Sequence, residues 1–158
     1  AVFNSGDKNQ VADLFPFPAP DTVLSVYLED SAFAERLQKN NDQLSRDIFL
    51  EFYPILSQAM LVHEMDTLFR VLPLDSLSGR DEIERYFPKM GEPCVKYYRI
   101  AIEGESVVIV TGIDSSKDYI NPETKEREIM SAECESAVVW VFRFYGKKLS
   151  LKQHTSVG

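Results

Sequence analysis

The chain has 158 residues, enough for one domain that hides roughly two-thirds of its unfolded surface. Its composition, 44% hydrophobic, 27% charged and 11% aromatic, excludes a disordered chain. A formal net charge of −8, with no Lys/Arg stripe interleaved with aromatics, gives phosphate backbones no general attraction, so nucleic acid is not an expected partner.

No apolar run approaches the roughly 18 residues of a membrane helix, and the N-terminus lacks a signal-peptide pattern, so a soluble protein without a membrane partner is expected. The first residue is Ala1 rather than Met, which is compatible with a removed presequence. Cys94 and Cys134 lie far apart in sequence. Unless neighbouring strands bring them together, they favour a reduced, intracellular setting.

Residues 1–20 read as a Pro-rich N-terminal arm ending in Phe15-Pro16-Phe17-Pro18-Ala19-Pro20, which continues neither a helix nor a central strand. Its two phenylalanines are out of place in water and are expected to dock on the domain or on a partner subunit. Residues 21–158 form the domain proper. Asp21 to Leu28 fits a strand or a capped helix equally. From Ser31 the pattern turns helical, with Leu44, Ile48, Phe49, Phe52, Ile55, Leu56, Ala59 and Met60 near helical spacing and a break at Pro54.

Thr67 to Leu72, closed by Pro73, predicts a short strand. Ser78-Gly79-Arg80-Asp81 resembles a capping box, and Ile83, Phe87 and Met90 make one stripe, so a short helix is predicted over Ser78 to Phe87. The remainder reads as a four-strand meander: Cys94 to Glu103, Val107 to Asp114, Ile129 to Tyr145 and Leu149 to Ser156, with turns at Gly104 and Gly146. Ser115 to Glu128 is too polar to be buried and reads as an exposed hairpin tip.

Alternation sorts the last two strands into faces. Cys134, Ser136, Val138, Trp140, Phe142 and Phe144 share the bulky face that should fill the core. Leu149, Leu151, Gln153 and Thr155 share a face if the final strand is regular, which makes Gln153 and Thr155 the cavity candidates and turns His154 outward; a bulge would swap them.

The element order, and the Ser-Gly-Arg-Asp-Glu-Ile-x-x-Tyr-Phe segment from Ser78 to Phe87, resemble the nuclear transport factor 2-like superfamily, which includes SnoaL-like proteins and ketosteroid isomerases. The resemblance implies an α+β fold: a cone-shaped, curved antiparallel sheet wrapped around two to three N-terminal and inserted helices. It also implies pairing into a homodimer. Val110-Thr111-Gly112 and the ending from Gly146 to Ser156 are similar to one branch, the association domain of calcium/calmodulin-dependent kinase II and the iota-class carbonic anhydrases. In the latter, a histidine- and serine-rich strand end and a pocket tyrosine act without metal. By that resemblance the catalytic candidates are Tyr86, His154, Thr155 and Ser156, although Lys152 and Gln153 stand at two of the three histidine positions.

Ketosteroid isomerase chemistry needs a carboxylate base and a protonated acid, and the matching positions hold Arg70 and Ala137, which excludes that mechanism. His63 and Asp66 could form an acid–base pair, but a helix-end surface feature is the simpler reading. Two histidines and two cysteines are too few for a dedicated zinc site, and no nucleotide or redox fingerprint is present, so neither metal nor cofactor is expected.

Two readings of function stay open. The first is a cofactor-free domain that binds a small apolar or neutral molecule in the cone, with Tyr53, Tyr98, Trp140, Phe142 and Gln153 lining the pocket and hydratase, lyase or isomerase activity as its chemistry. The second is a non-catalytic dimerisation or protein-assembly module. An enclosed pocket with convergent polar groups favours the first, and a core packed solid by Trp140, Phe142 and Phe52 favours the second.

Overall fold

The computed structural model describes residues 6–20, 28–89, 92–115, 120–121, 123–126 and 134–158. All of the ambiguous Asp21–Leu28 segment but Leu28, half of the predicted hairpin tip and the start of the predicted Ile129 strand lie outside the described residues.

The helices come first: α1 (Lys8–Ala12), α2 (Ser31–Gln38), α3 (Arg46–Glu51), α4 (Tyr53–Ala59) and α5 (Val62–Val71), followed by a 3-10 turn at Leu74–Leu77. Asp7, Asp30 and Ser45 cap α1, α2 and α3 by accepting backbone N–H bonds that the first turn cannot satisfy internally. Pro54 separates α3 from α4, because it tolerates only a first-turn position.

Five antiparallel strands then pair in sequence order into one sheet: β1 (Glu82–Phe87), β2 (Cys94–Glu103), β3 (Ser106–Ser115), β4 (Ser136–Tyr145) and β5 (Lys148–Val157). Gly104 and Gly146 turn the β2–β3 and β4–β5 hairpins at φ 62°, a conformation costly for residues with a Cβ.

The sequence reading is corrected at two linked places. Thr67–Leu72 is not a strand: up to Val71 it is the second half of α5, held there by Val62, Met65 and Leu68 on one buried stripe. Ser78–Phe87 is not a helix, since Gly79 sits in a turn at φ 91° and Glu82–Phe87 is the edge strand β1. Helix therefore precedes strand where the sequence predicts the reverse, and the short third helix that carried the family resemblance is absent from that position.

One face of the sheet packs on the helices. Tyr98, Ile100, Ile109, Trp140, Phe142 and Leu151 meet Ile48, Phe49, Leu56, Met60, Met65 and Leu68 in one continuous core. Trp140 and Phe142 stack in parallel at 6.1 Å, and the His154 ring meets Trp140 edge-on at 4.5 Å. The arm belongs to this core, because Phe15 and Phe17 lie 4.7 and 5.5 Å from the Phe49 ring. Ala19 and Leu44 also exchange backbone hydrogen bonds, so the phenylalanines dock on their own domain.

β5 carries a bulge. Val141 pairs with Gln153 but Phe142 pairs with Leu151, which leaves Lys152 as the extra residue. Alternation is thereby reset: Leu149, Leu151, His154 and Ser156 stand opposite Phe144, Phe142, Trp140 and Val138 on the helix side, while Gln153 and Thr155 fall opposite Val141 and Val139 on the outer side. The expectation for a regular strand is corrected accordingly, and His154 is fully buried.

Cys94 and Cys134 form a disulfide, with their Cα atoms 5.4 Å apart. This corrects the expectation of reduced thiols. Cys94 opens β2 and Cys134 precedes β4, the two strands that flank β3.

Candidate functional site

A groove of about 420 Å³ opens where the start of α5 meets the helix-facing ends of β2 to β5. Its floor follows from register: Thr111, Val138 and Ser156 are successive partners across β3, β4 and β5, with Tyr98 beside the groove as the β2 partner of Thr111. Lys96, Ile113 and Ser136 make the next row towards the rim. Leu61 and Glu64 form the helical wall.

Glu64 organises the polar side of this groove. Its Oε2 accepts from Lys96 Nζ at 2.7 Å and from the Tyr98 hydroxyl at 2.6 Å, while Oε1 lies 3.2 Å from His63 Nε2. Burial pushes the Glu64 carboxyl up, but the hydrogen bonds from Lys96 and Tyr98 outweigh it and hold the group below the usual carboxylate range. Burial likewise acts to lower Lys96, yet its bond to Glu64 keeps it above the usual lysine value. Burial and the neighbouring Glu64 both raise Tyr98.

The three groups are thus fixed as a carboxylate, an ammonium and a neutral phenol. A carboxylate held low is a poor general base near neutrality, and an ammonium held high is a poor nucleophile. The arrangement suits binding better than proton transfer. Among the described residues, no three His, Cys, Asp or Glu side chains converge as a metal site.

The catalytic candidates are not gathered. Tyr86 lies on the outer face, stacked on Tyr97 at 5.3 Å, with Glu84 on the same side of β1. Thr155 is also on the outer face, but on β5 at the opposite edge of the sheet. His154 and Ser156 are on the helix side, so the sheet itself separates them from Tyr86. His154 is packed against Trp140 in the core, and Ser156 alone of the four lines the groove.

The pocket candidates also divide. Tyr98 reaches Glu64 beside the groove, whereas Trp140 and Phe142 are core filling. Tyr53 packs edge-on against Phe49 and borders a separate surface hollow of about 300 Å³, and Gln153 is exposed on the outer side. His63 pairs with Glu64 while Asp66 pairs with Arg70 at 2.8 Å, so each member of the proposed acid–base pair has another partner.

Carbon dioxide hydration that needs a tyrosine beside the serine-rich strand end has no common cavity here. Stopped-flow assays are expected to show no hydration above the uncatalysed rate, for this chain and equally for its Tyr86→Phe and Ser156→Ala variants. A rate that collapses in either variant would restore the catalytic reading.

Comparison of the chain with protein-family models, with curated proteins and with solved structures finds no match. The site therefore has to be read from its own chemistry.

Proposed function

We propose that this domain is a non-catalytic assembly module that pairs with a second copy of itself through the sheet face turned away from the helices. The observation that carries this reading is a second apolar cluster, separate from the core. Ala101, Val108 and Val110, flanked by Tyr97, Val139 and Val141, all belong to the sheet, and no described helix is part of the cluster. Ala101, Val108 and Val110 are buried within the single chain, and what this face still offers a partner is the half-buried Tyr97, Ala137, Val139 and Val141 around them.

The tight fit of Tyr97 supports the same reading. Gly112 is its cross-strand partner, and a Cβ on Gly112 would lie 2.5 Å from the Tyr97 ring. Glycine is thus needed for the ring to lie across the sheet and extend the apolar surface. Around the cluster, Arg99 pairs with Glu82 and Arg143 with Glu105, a rim of both signs that a twofold partner can meet without net repulsion.

The four ten-residue strands β2 to β5, at about 3.3 Å per residue and with three spacings of about 4.8 Å, make a face of roughly 33 by 14 Å. A stable interface buries roughly 800 Å² on each partner, so the contact would take in the charged rim as well as the apolar centre. Trp140 and Phe142 stack and are buried at the centre of the helix side, which supports a packed core in place of the central pocket expected of a small-molecule site.

Sedimentation equilibrium is expected to give a dimer mass at micromolar concentration, and Val139→Glu with Val141→Glu to give a folded monomer. A monomer mass for the unaltered chain, or a dimer indifferent to both substitutions, would count against this interface.

A further inference from the structure

We infer that the two copies of the proposed assembly pack about a twofold axis running across the strands. The Lys147–Lys148 hairpin tip of each copy then enters an acidic hollow at the far end of the other's sheet. This rests on the assembly reading and adds to it which ends of the two faces meet.

Unpaired charge is segregated along the outer face. At one end, Tyr97, Asp114, Glu135, Ala137 and Val157 line a surface hollow of about 390 Å³. Neither carboxylate forms an ion pair among the described residues. Burial, then the charges of Asp114 and Glu84, raise the Tyr97 phenol, so the ring stays neutral in a negative field. A neutral aromatic face flanked by carboxylates suits an ammonium. The sequence that joins β3 to β4, residues 116–133, holds five carboxylates against three basic side chains, so it supplies no surplus of cations to neutralise them.

The opposite end is basic. Lys147 and Lys148 stand at the β4–β5 turn, exposed and without an ion pair among the described residues. Lys148 lies opposite Tyr145 on the outer side. The carboxylates of the neighbouring β2–β3 turn are already engaged, Glu103 by Arg99 and Glu105 by Arg143.

Symmetry then selects the arrangement. Val139 is four residues from Glu135 and Val141 four from Tyr145, so the half-buried valines sit midway between hollow and tip, about 13 Å from each. A twofold axis through the valines and across the strands carries each lysine tip onto the partner's hollow, twice per dimer. An axis along the strands would instead lay the two acidic ends on each other, which like-charge repulsion opposes.

Sedimentation equilibrium of the full chain at about 50 mM and about 500 mM sodium chloride tests this. Dissociation is expected to be about ten-fold easier at the higher salt, because the groups that meet are exposed and open to screening. Lys147→Glu with Lys148→Glu, and separately Asp114→Lys with Glu135→Lys, should each weaken self-association about ten-fold at low salt. Mixed in equal amounts, the two variants should form a heterodimer of near-native affinity, since every reversed end then meets its complement. Circular dichroism melts check that the variants fold, and the salt dependence of the unaltered chain decides alone if either does not. A monomer mass for the unaltered chain would remove the assembly reading and this inference with it. A dimer indifferent to salt or to the reversals, or variants that stay apart when mixed, would overturn this inference alone and leave the assembly standing.

Discussion

Replacing Trp140 by alanine is expected to lower the stability of the fold by about 3–5 kcal/mol, a large share of the total for a domain of this size. Trp140 is 1% exposed, stacked on Phe142 and met edge-on by His154, so its removal leaves a cavity bounded by rings that cannot collapse into it. Trp140→Phe should cost clearly less than its loss of volume suggests. The indole N–H is buried without a hydrogen-bond partner, and phenylalanine removes that penalty of about 1–3 kcal/mol while retaining an aromatic face. Urea melts of the three proteins decide the matter. A change within about half a kilocalorie for alanine would mean that the centre of the sheet is not packed as described.

Removing the Cys94–Cys134 disulfide is expected to cost about 4 kcal/mol, because the bond closes a loop with a sequence separation of 40 and so restricts the unfolded chain. Both double substitution by serine and treatment with reductant should lower the melting temperature by a similar amount. Neither cysteine belongs to the helix-side core, so the reduced protein should still show a cooperative transition. Unchanged melting under reductant, with the thiols shown to be free, would refute the assigned contribution. Such a bond also persists most readily in oxidising compartments, the opposite of the setting that cysteine spacing alone suggests.

Much of the sheet was legible because alternation is a strong local signal. β2 matches the expected Cys94–Glu103 to the residue, and the bulky face of β4 is the buried one. The exchange between α5 and β1 has a physical reason in each half. Thr67, Phe69 and Val71 favour a strand when six residues are read alone, but the stripe from Val62 through Met65 to Leu68 is visible only in a longer window, and packing of that stripe decides. In β1, Arg85 occupies a helix-side position between Ile83 and Phe87 and donates to the Val71 carbonyl, which spoils the alternation that would have marked a strand.

The site was legible only in fragments. Tyr98 was singled out as a polar tip for the pocket and Ser156 by the family resemblance, whereas Glu64 and Lys96 are 32 residues apart and carry no local mark of their pairing. Thr111 entered only within a tripeptide of resemblance, and its place on the groove floor follows from a cross-strand register that no short motif displays. The Lys152 bulge hides the placement of His154 and Ser156 in a different way: both halves of β5 alternate, but out of phase with each other.

The disulfide has one more consequence, for the integrity of the chain after cleavage. Cys94 and Cys134 bracket the polar segment between β3 and β4. A peptide bond cut anywhere between them therefore severs the backbone without releasing a fragment. The nicked protein would run as one band without reductant and as two with it, and β3 would remain hydrogen-bonded between β2 and β4 after the cut. A cut in that segment thus threatens the molecule far less than the segment's length and polarity suggest.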